Sequence, residues 1–304
     1  MSTLSLGYTT PLIVLPFDHR GSFAKGLFGT EAPDEETVAK IIAYKHVIYD
    51  AIFVAQKTLA LPTSETAILV DEIYGEAILK DAQEKGLVIL QTTEKSGTET
   101  FDFEYADAFG EHLLRYNATF AKALVRFNPD GDAAANAHSL VNLKKLSDFC
   151  HANGIKLLIE PLVPATAEQL AAVDGDKRRY DQELRPALTV RMVAAMQEAG
   201  IECDVWKIEG FADRSAYQAA LAQMRSTEAR ANVSLIILGR GETDEVVTEW
   251  LLAGKNLPGV IGFAVGRTVF WEPLVQYHNG TLTREAAVDA IAAAFTHFGT
   301  LFLH

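Results

Sequence analysis

The chain has little cysteine, little positive charge and no apolar run expected to be as long as a membrane span. Two cysteines, Cys150 and Cys203, in 304 residues are too few for a disulfide framework, which points to a reducing compartment. Cys150 lies in the helical stretch "LKKLSDFCHANG" and reads as apolar filler. Cys203 reads the same way, with a reactive thiol as the alternative. Lys and Arg number 27 against 40 Asp and Glu, for a net charge of −13. That balance argues against nucleic acid and anionic membranes as partners. It leaves room for an anionic small molecule, since a few arginines suffice to make a positive pocket. The N-terminal "MSTLSLGYTTPLIVLPFDHRG" lacks the basic region and cleavage site of a signal peptide. No stretch reaches the roughly 18 apolar residues of a membrane span, so a cytoplasmic protein is expected. A glycine-rich G-x-G-x-x-G loop is also missing. The first strand is followed by "DHRGS", which speaks against a doubly wound nucleotide-binding sheet.

What the chain has in abundance is alternation. Short aliphatic runs at 12–18, 67–72, 87–92, 122–128, 155–162, 204–210, 234–241 and 259–267 read as strands. Amphipathic stretches at 37–56, 72–85, 106–116, 139–154, 187–200, 214–226, 244–254 and 283–298 separate or follow them and read as helices. Eight such units, with no linker, repeat or low-complexity tract, predict an α/β fold: one (β/α)₈ TIM barrel over residues 1–304.

In such a barrel the chemistry sits at the C-terminal ends of the strands. Those ends carry Asp18, with His19 and Arg20 after it, then Asp71-Glu72, Gln91, Asn128, Glu160, and Lys207 with Glu209. Residues two apart share a face. Lys122, Leu124, Arg126 and Asn128 form one set, Lys156, Leu158 and Glu160 a second, and Val205, Lys207 and Glu209 a third. Facing inward, these sets would bring lysines and carboxylates together inside the barrel. Burial and neighbouring cations lower a lysine pKa, and an amine that is sometimes neutral attacks carbonyls. A set of buried salt bridges would produce the same spacing, and the spacing leaves both readings open. The last two strands end in "GRG" (239–241) and "VGR" (265–267), as expected of an anion site built from backbone N–H groups and Arg240 or Arg267. A tight turn with Arg240 in solvent is the alternative.

Several segments carry a family resemblance: "LPFDHRGSF" (15–23), "DEIYGEAIL" (71–79), "FAKALVRFNPD" (120–130), "LLIEPLVP" (157–164), "RPALTVRMVAAMQEAGIECDVWKIEG" (185–210), "ILGRGE" (237–242) and "GFAVGRTVFWEPL" (262–274). The chain resembles class I (Schiff-base) aldolases of the tagatose-bisphosphate aldolase kind, and most of all the branch fused to the sugar kinase of myo-inositol catabolism. The resemblance implies a carbon–carbon lyase acting on a phosphorylated keto sugar or keto sugar acid, without cofactor or metal. Lys207 matches the Schiff-base lysine, Glu160 the glutamate that moves protons, Lys122 the lysine that tunes this pair, and Asp18 the aspartate that assists cleavage. Arg20, Gly239, Arg240, Gly241, Gly266 and Arg267 are the expected substrate- and phosphate-binding positions. Two positions depart from the pattern: Gly239 stands where tagatose-type members carry a serine, and His19 where a glutamine is common. Two rivals share the barrel. One is a metal-dependent lyase or epimerase ligated by Asp18, His19, Asp71 and Glu160. The other is a non-catalytic sugar-phosphate sensor. Barrels of this type often self-associate, and helix 283–298 could cover a subunit contact.

Overall fold

The computed structural model describes residues 5–304. Eight parallel strands close into a barrel in sequence order. They are β1 Leu12–Pro16, β2 Thr66–Val70, β3 Val88–Thr92, β4 Phe120–Arg126, β5 Lys156–Leu162, β6 Val205–Glu209, β7 Ser234–Leu238 and β8 Val260–Ala264. Most are shorter than their runs in the sequence, and β4 has the same length but begins two residues earlier. The (β/α)₈ expectation holds.

Strand alternation divides the core in two. Leu12, Val14, Ala67, Leu69, Val88, Leu90, Phe120, Leu158, Val205, Ile236 and Ala264 fill the barrel interior. The alternate residues, such as Ile13, Ile68, Ile89, Leu157, Trp206, Ile208 and Ile237, pack outward beneath the helices. Trp206 and Ile208 therefore point to the helical shell and Lys207 to the interior. β8 seals the barrel against β1 with Gly262 opposite Leu12. A Cβ at Gly262 would lie 1.8 Å from the Leu12 carbonyl oxygen, so only glycine lets the two backbones meet.

Over this seam lies a helix pair. Helix Glu35–Leu59 is capped by Asp34, whose side chain accepts from Thr37 N–H. It packs against helix Arg284–Leu303, capped by Thr283. By length and composition the latter is apolar enough to cross a membrane, which corrects the expectation that no stretch qualifies. Its apolar residues have another use: Ala287, Val288, Ile291, Ala292, Phe295 and Phe298 are buried on the barrel, with the Phe295 ring 5.7 Å from that of Phe263 on β8.

Other helices differ from the sequence pattern. The stretch 106–116 is a 3₁₀ turn, Ala106–Ala108, followed by the short helix Phe109–Leu114. A helix at Arg267–His278 follows β8 directly. Pro273 lies inside it, and interior proline removes a hydrogen bond, which hides the helix from a periodicity reading. Beneath β1 and β2, the fully buried Lys45 of helix Glu35–Leu59 donates to the Phe17 carbonyl and pairs with Asp71. Asp71 in turn caps helix Glu72–Glu84 by accepting from Tyr74 N–H at 2.8 Å. Asp71 thus fixes the loops on which Asp18 and His19 stand.

Candidate active site

At the C-terminal end of the barrel a cavity of about 920 Å³ opens. Its floor is a connected set of charges that the strand parity brings together. Lys122 of β4 lies at 2.8 Å from Asp18 Oδ2, 2.7 Å from Glu94 Oε1 and 3.0 Å from Glu160 Oε2. Lys207 of β6 lies at 2.9 Å from the same Glu160 Oε2. Glu160 of β5, the strand between β4 and β6, therefore has one oxygen shared by two ammonium groups. Both lysines are at most 2 % exposed. The four residues expected to act together, Lys207, Glu160, Lys122 and Asp18, thus form one cluster.

Burial alone would lower the Lys122 pKa, but Asp18, Glu160 and Glu94 outweigh it and hold the ammonium above the ordinary lysine range. For Lys122 the expected lowering by burial and neighbouring cations does not occur, and it is a fixed cation. Burial likewise opposes ionisation of Glu160, and Lys122 and Lys207 together overcome it, keeping the carboxyl below its usual value. Asp18 is depressed in the same way, against burial, chiefly by Lys122.

Glu94 is the residue that sequence reasoning missed. It lies just past β3, in a small hairpin closed by an antiparallel bridge to Phe103. Its Oε2 accepts from Leu124 N–H at 3.2 Å. The signal was present as parity, since Leu90, Thr92 and Glu94 share a face. Arg20 holds this hairpin to the end of β1, donating to Glu104 Oε2 at 2.6 Å and to the Glu94 carbonyl at 2.8 Å. Its guanidinium is buried there, so Arg20 braces the cavity wall instead of standing free for phosphate.

Other polar residues near strand ends serve the fold. Gln91 donates to the His112 carbonyl outside the barrel. Asn128 donates to Pro164 O and Gln169 Oε1. Glu209 accepts from Val163 N–H and from Arg240. The side chain of Arg240 is taken up by Asp181, Glu209 and Glu242, with Trp250 under its guanidinium at 5.4 Å. The charge expected of it for phosphate is therefore neutralised three times over.

Arg267 differs. It begins helix Arg267–His278, which has no side-chain cap, and its Nη2 donates to the Arg240 carbonyl at 2.7 Å. The guanidinium crosses directly over Gly241, where a Cβ would come within 2.7 Å of it and where φ is +77°. Gly239, Gly241, Gly266 and Arg267 thus stand together where β7 and β8 end, beside a helix N-terminus that favours anions. The missing serine at 239 also has a physical reason, since a Cβ there would meet both Val265 methyls at 3.2 Å.

His19 lines the same cavity with its ring edge-on to Phe270 and its Nδ1 buried without a partner among the described residues. Burial pushes its pKa down to about 4. Asp18 opposes the shift, while Arg267, Lys207 and Lys45 add to it. The folded-state pKa is below the unfolded one, so the contribution to stability is intact above about 6.5 and declines as pH falls toward 4. The slope approaches about 1.4 kcal/mol per pH unit. Urea titrations between pH 7.5 and 4.5 should show this slope in the wild type and a smaller one in His19→Asn. Equal slopes would mean that His19 protonates as readily in the fold as in the unfolded chain.

Asp18, His19, Asp71 and Glu160 do not form a ligand set. Asp71 is bound to Lys45 behind β1 and β2, while Asp18 and Glu160 face ammonium groups. Among the described residues no group of three or more His, Cys, Asp or Glu side chains is placed to hold a metal ion. The cysteines are both buried, and burial raises both thiols, so neither is a thiolate nucleophile.

A family model described as "Uncharacterized protein conserved in bacteria (DUF2090)" matches residues 3–303. No curated protein matches by sequence. Among solved structures, a fructose-bisphosphate aldolase from Plasmodium falciparum, crystallised with TRAP and a small-molecule inhibitor, superposes with a TM-score of 0.62. The match covers 99 % of each chain at 12 % identity. The likeness is one of fold.

Proposed function

The chain belongs to this DUF2090 family, and for this member we propose a class I aldolase that cleaves a phosphorylated keto sugar or keto sugar acid through a Schiff base on Lys207. The observation that carries the reading is the single Glu160 oxygen held between Lys207 at 2.9 Å and Lys122 at 3.0 Å. A lysine serving only as a structural counter-ion has no need of a carboxylate that a second, permanently charged lysine already neutralises. A lysine that must gain and lose protons does.

The chemistry follows from that arrangement. Glu160 takes a proton from the Lys207 ammonium, and the amine attacks the substrate ketone. The carbinolamine receives a proton on its hydroxyl, loses water and becomes a protonated imine. A base removes the proton from the hydroxyl on the carbon beyond the bond to be cut. That hydroxyl becomes the aldehyde carbonyl, the carbon–carbon bond breaks, and its electron pair moves to the imine nitrogen, giving an enamine. Asp18, at the end of β1 and ionised, is the candidate base. The enamine is then protonated on carbon, and water releases the ketone and regenerates the amine. Before each transfer Lys122 keeps Asp18 and Glu160 ionised, so that each is ready to accept a proton. Phosphate would rest on the loop amides of Gly241 and Gly266 beside Arg267. By resemblance to the inositol-catabolic branch, the substrate would be 2-deoxy-5-keto-gluconate 6-phosphate and the products dihydroxyacetone phosphate and malonate semialdehyde.

Borohydride reduction in the presence of dihydroxyacetone phosphate tests the central step. Peptide mass spectrometry should find the reduced adduct on Lys207. An adduct on another lysine, or none, sinks the mechanism.

A further inference from the structure

Most of the cations that line the cavity are paired with acids. Arg20, Lys25, Lys122, Lys207 and Arg240 each lie within ion-pair distance of a carboxylate. Among the described residues, Lys95, Arg126 and Arg267 line the cavity without such a partner. Lys95 and Arg267 are exposed, whereas Arg126 is half-buried on the last residue of β4. A half-buried guanidinium without a carboxylate is unusual, because desolvation is otherwise offset by a counter-ion. Among the described residues its one hydrogen-bond partner is neutral: Nη1 donates to the Thr98 carbonyl at 3.0 Å. That bond tethers the group, and among the described residues Nε and Nη2 have no protein acceptor.

The position is as informative as the missing partner. With the strands closed in sequence order, β4 stands directly across the barrel from β8, and β6 stands midway between them. Arg267 follows β8, Lys207 is on β6 and Arg126 ends β4. A ligand joined to Lys207 through a ketone next to its phosphorylated carbon, with the phosphate beside Arg267, would run its far end toward Arg126.

We propose that Arg126 forms a second anion subsite, which takes a terminal carboxylate at the end of the substrate remote from the phosphate. The free edge of one guanidinium matches the two oxygens of a planar carboxylate. A phosphate dianion is ordinarily held by more donors than this edge provides. The inference rests on the aldolase reading for its orientation, but it makes a binding claim that needs no imine.

Three ligands without a ketone separate the two claims: 6-phosphogluconate, glucitol 6-phosphate, and glucitol 1,6-bisphosphate. Calorimetric titration of the wild type should show 6-phosphogluconate binding roughly 10- to 100-fold tighter than glucitol 6-phosphate, the range of one hydrogen bond to a charged group. In Arg126→Gln that preference should vanish while the affinity for glucitol 6-phosphate is unchanged, which also reports an intact fold. The proposal is overturned if the wild type binds the acid no better than the alcohol, or binds neither. It is equally overturned if Arg126→Gln weakens both ligands alike. Tighter binding of the bisphosphate than of the acid would make this a phosphate subsite and overturn the carboxylate assignment. Borohydride trapping with dihydroxyacetone phosphate, which lacks a carboxylate, judges the lysine chemistry separately.

Discussion

Lys207→Met should abolish turnover, lowering kcat by at least about 10⁴-fold, while the protein keeps its stability to within about 1 kcal/mol. The first half follows from chemistry, since methionine has no amine and no other cavity lysine has its setting. Lys122 is held charged by three carboxylates, and Lys25 and Lys95 are exposed at the cavity mouth. The second half follows from the charges left behind. Removing the Lys207 ammonium leaves Glu160 paired with Lys122, and it also removes the cost of burying an ion. Binding of glucitol 6-phosphate should survive. The paired measurement is a steady-state lyase assay and a urea melt of the same preparation. A variant that loses activity only because it is unfolded would give the first result without the second.

Lys122→Met should do the reverse in one respect: it should destabilise the fold by about 3–5 kcal/mol, the usual cost of breaking a buried pair from one side. Asp18, Glu94 and Glu160 would lose the cation they share, leaving Lys207 beside Glu160 and Arg20 beside Glu94. The pH dependence gives a sharper test. In the wild type Asp18 and Glu160 have folded-state pKa values below their unfolded ones. Their stabilisation is present above about pH 4 and is lost as pH falls through the folded values. Lys122 is raised, so its contribution is complete below the unfolded lysine value and disappears only in strong alkali. Without Lys122, burial dominates and pushes the carboxyls up. The variant should then become relatively more stable as pH falls from 7 toward 4, where the stranded groups take up protons. Urea midpoints across that range should bring the two proteins together at low pH. A gap that stays constant would mean that Lys122 contributes by packing and not by charge.

The barrel itself was readable because its strands are short aliphatic runs of one kind between amphipathic helices of another. Strand parity went further and placed Lys122, Glu160 and Lys207 on one face before any contact was known. It failed at Glu94 for a local reason: the residue sits in "TEKSG", where composition signals a turn, although it keeps the inward phase of β3. The arginines failed for a different reason. Arg20 and Arg240 stand where anion-binding residues belong, but long side chains choose partners from distant sequence, here Glu104 and Asp181. The same holds for Asp71, whose partner Lys45 lies on the preceding helix. Position along a strand could be read from the chain; which acid cancels which base required the fold.

The seam between β1 and β8 has a consequence for how the protein is made. The partners of β1 and of helix Glu35–Leu59 are Gly262 and helix Arg284–Leu303, near the other end of the chain. At a translation rate of about 5–20 residues per second, they emerge roughly 10–50 s after the first elements do. For that interval the side of the first strand away from β2 is an unpaired edge, and the part of the long helix that meets helix Arg284–Leu303 is uncovered. The nascent chain therefore offers a holdase chaperone a defined binding window, which closes when Phe295 reaches Phe263.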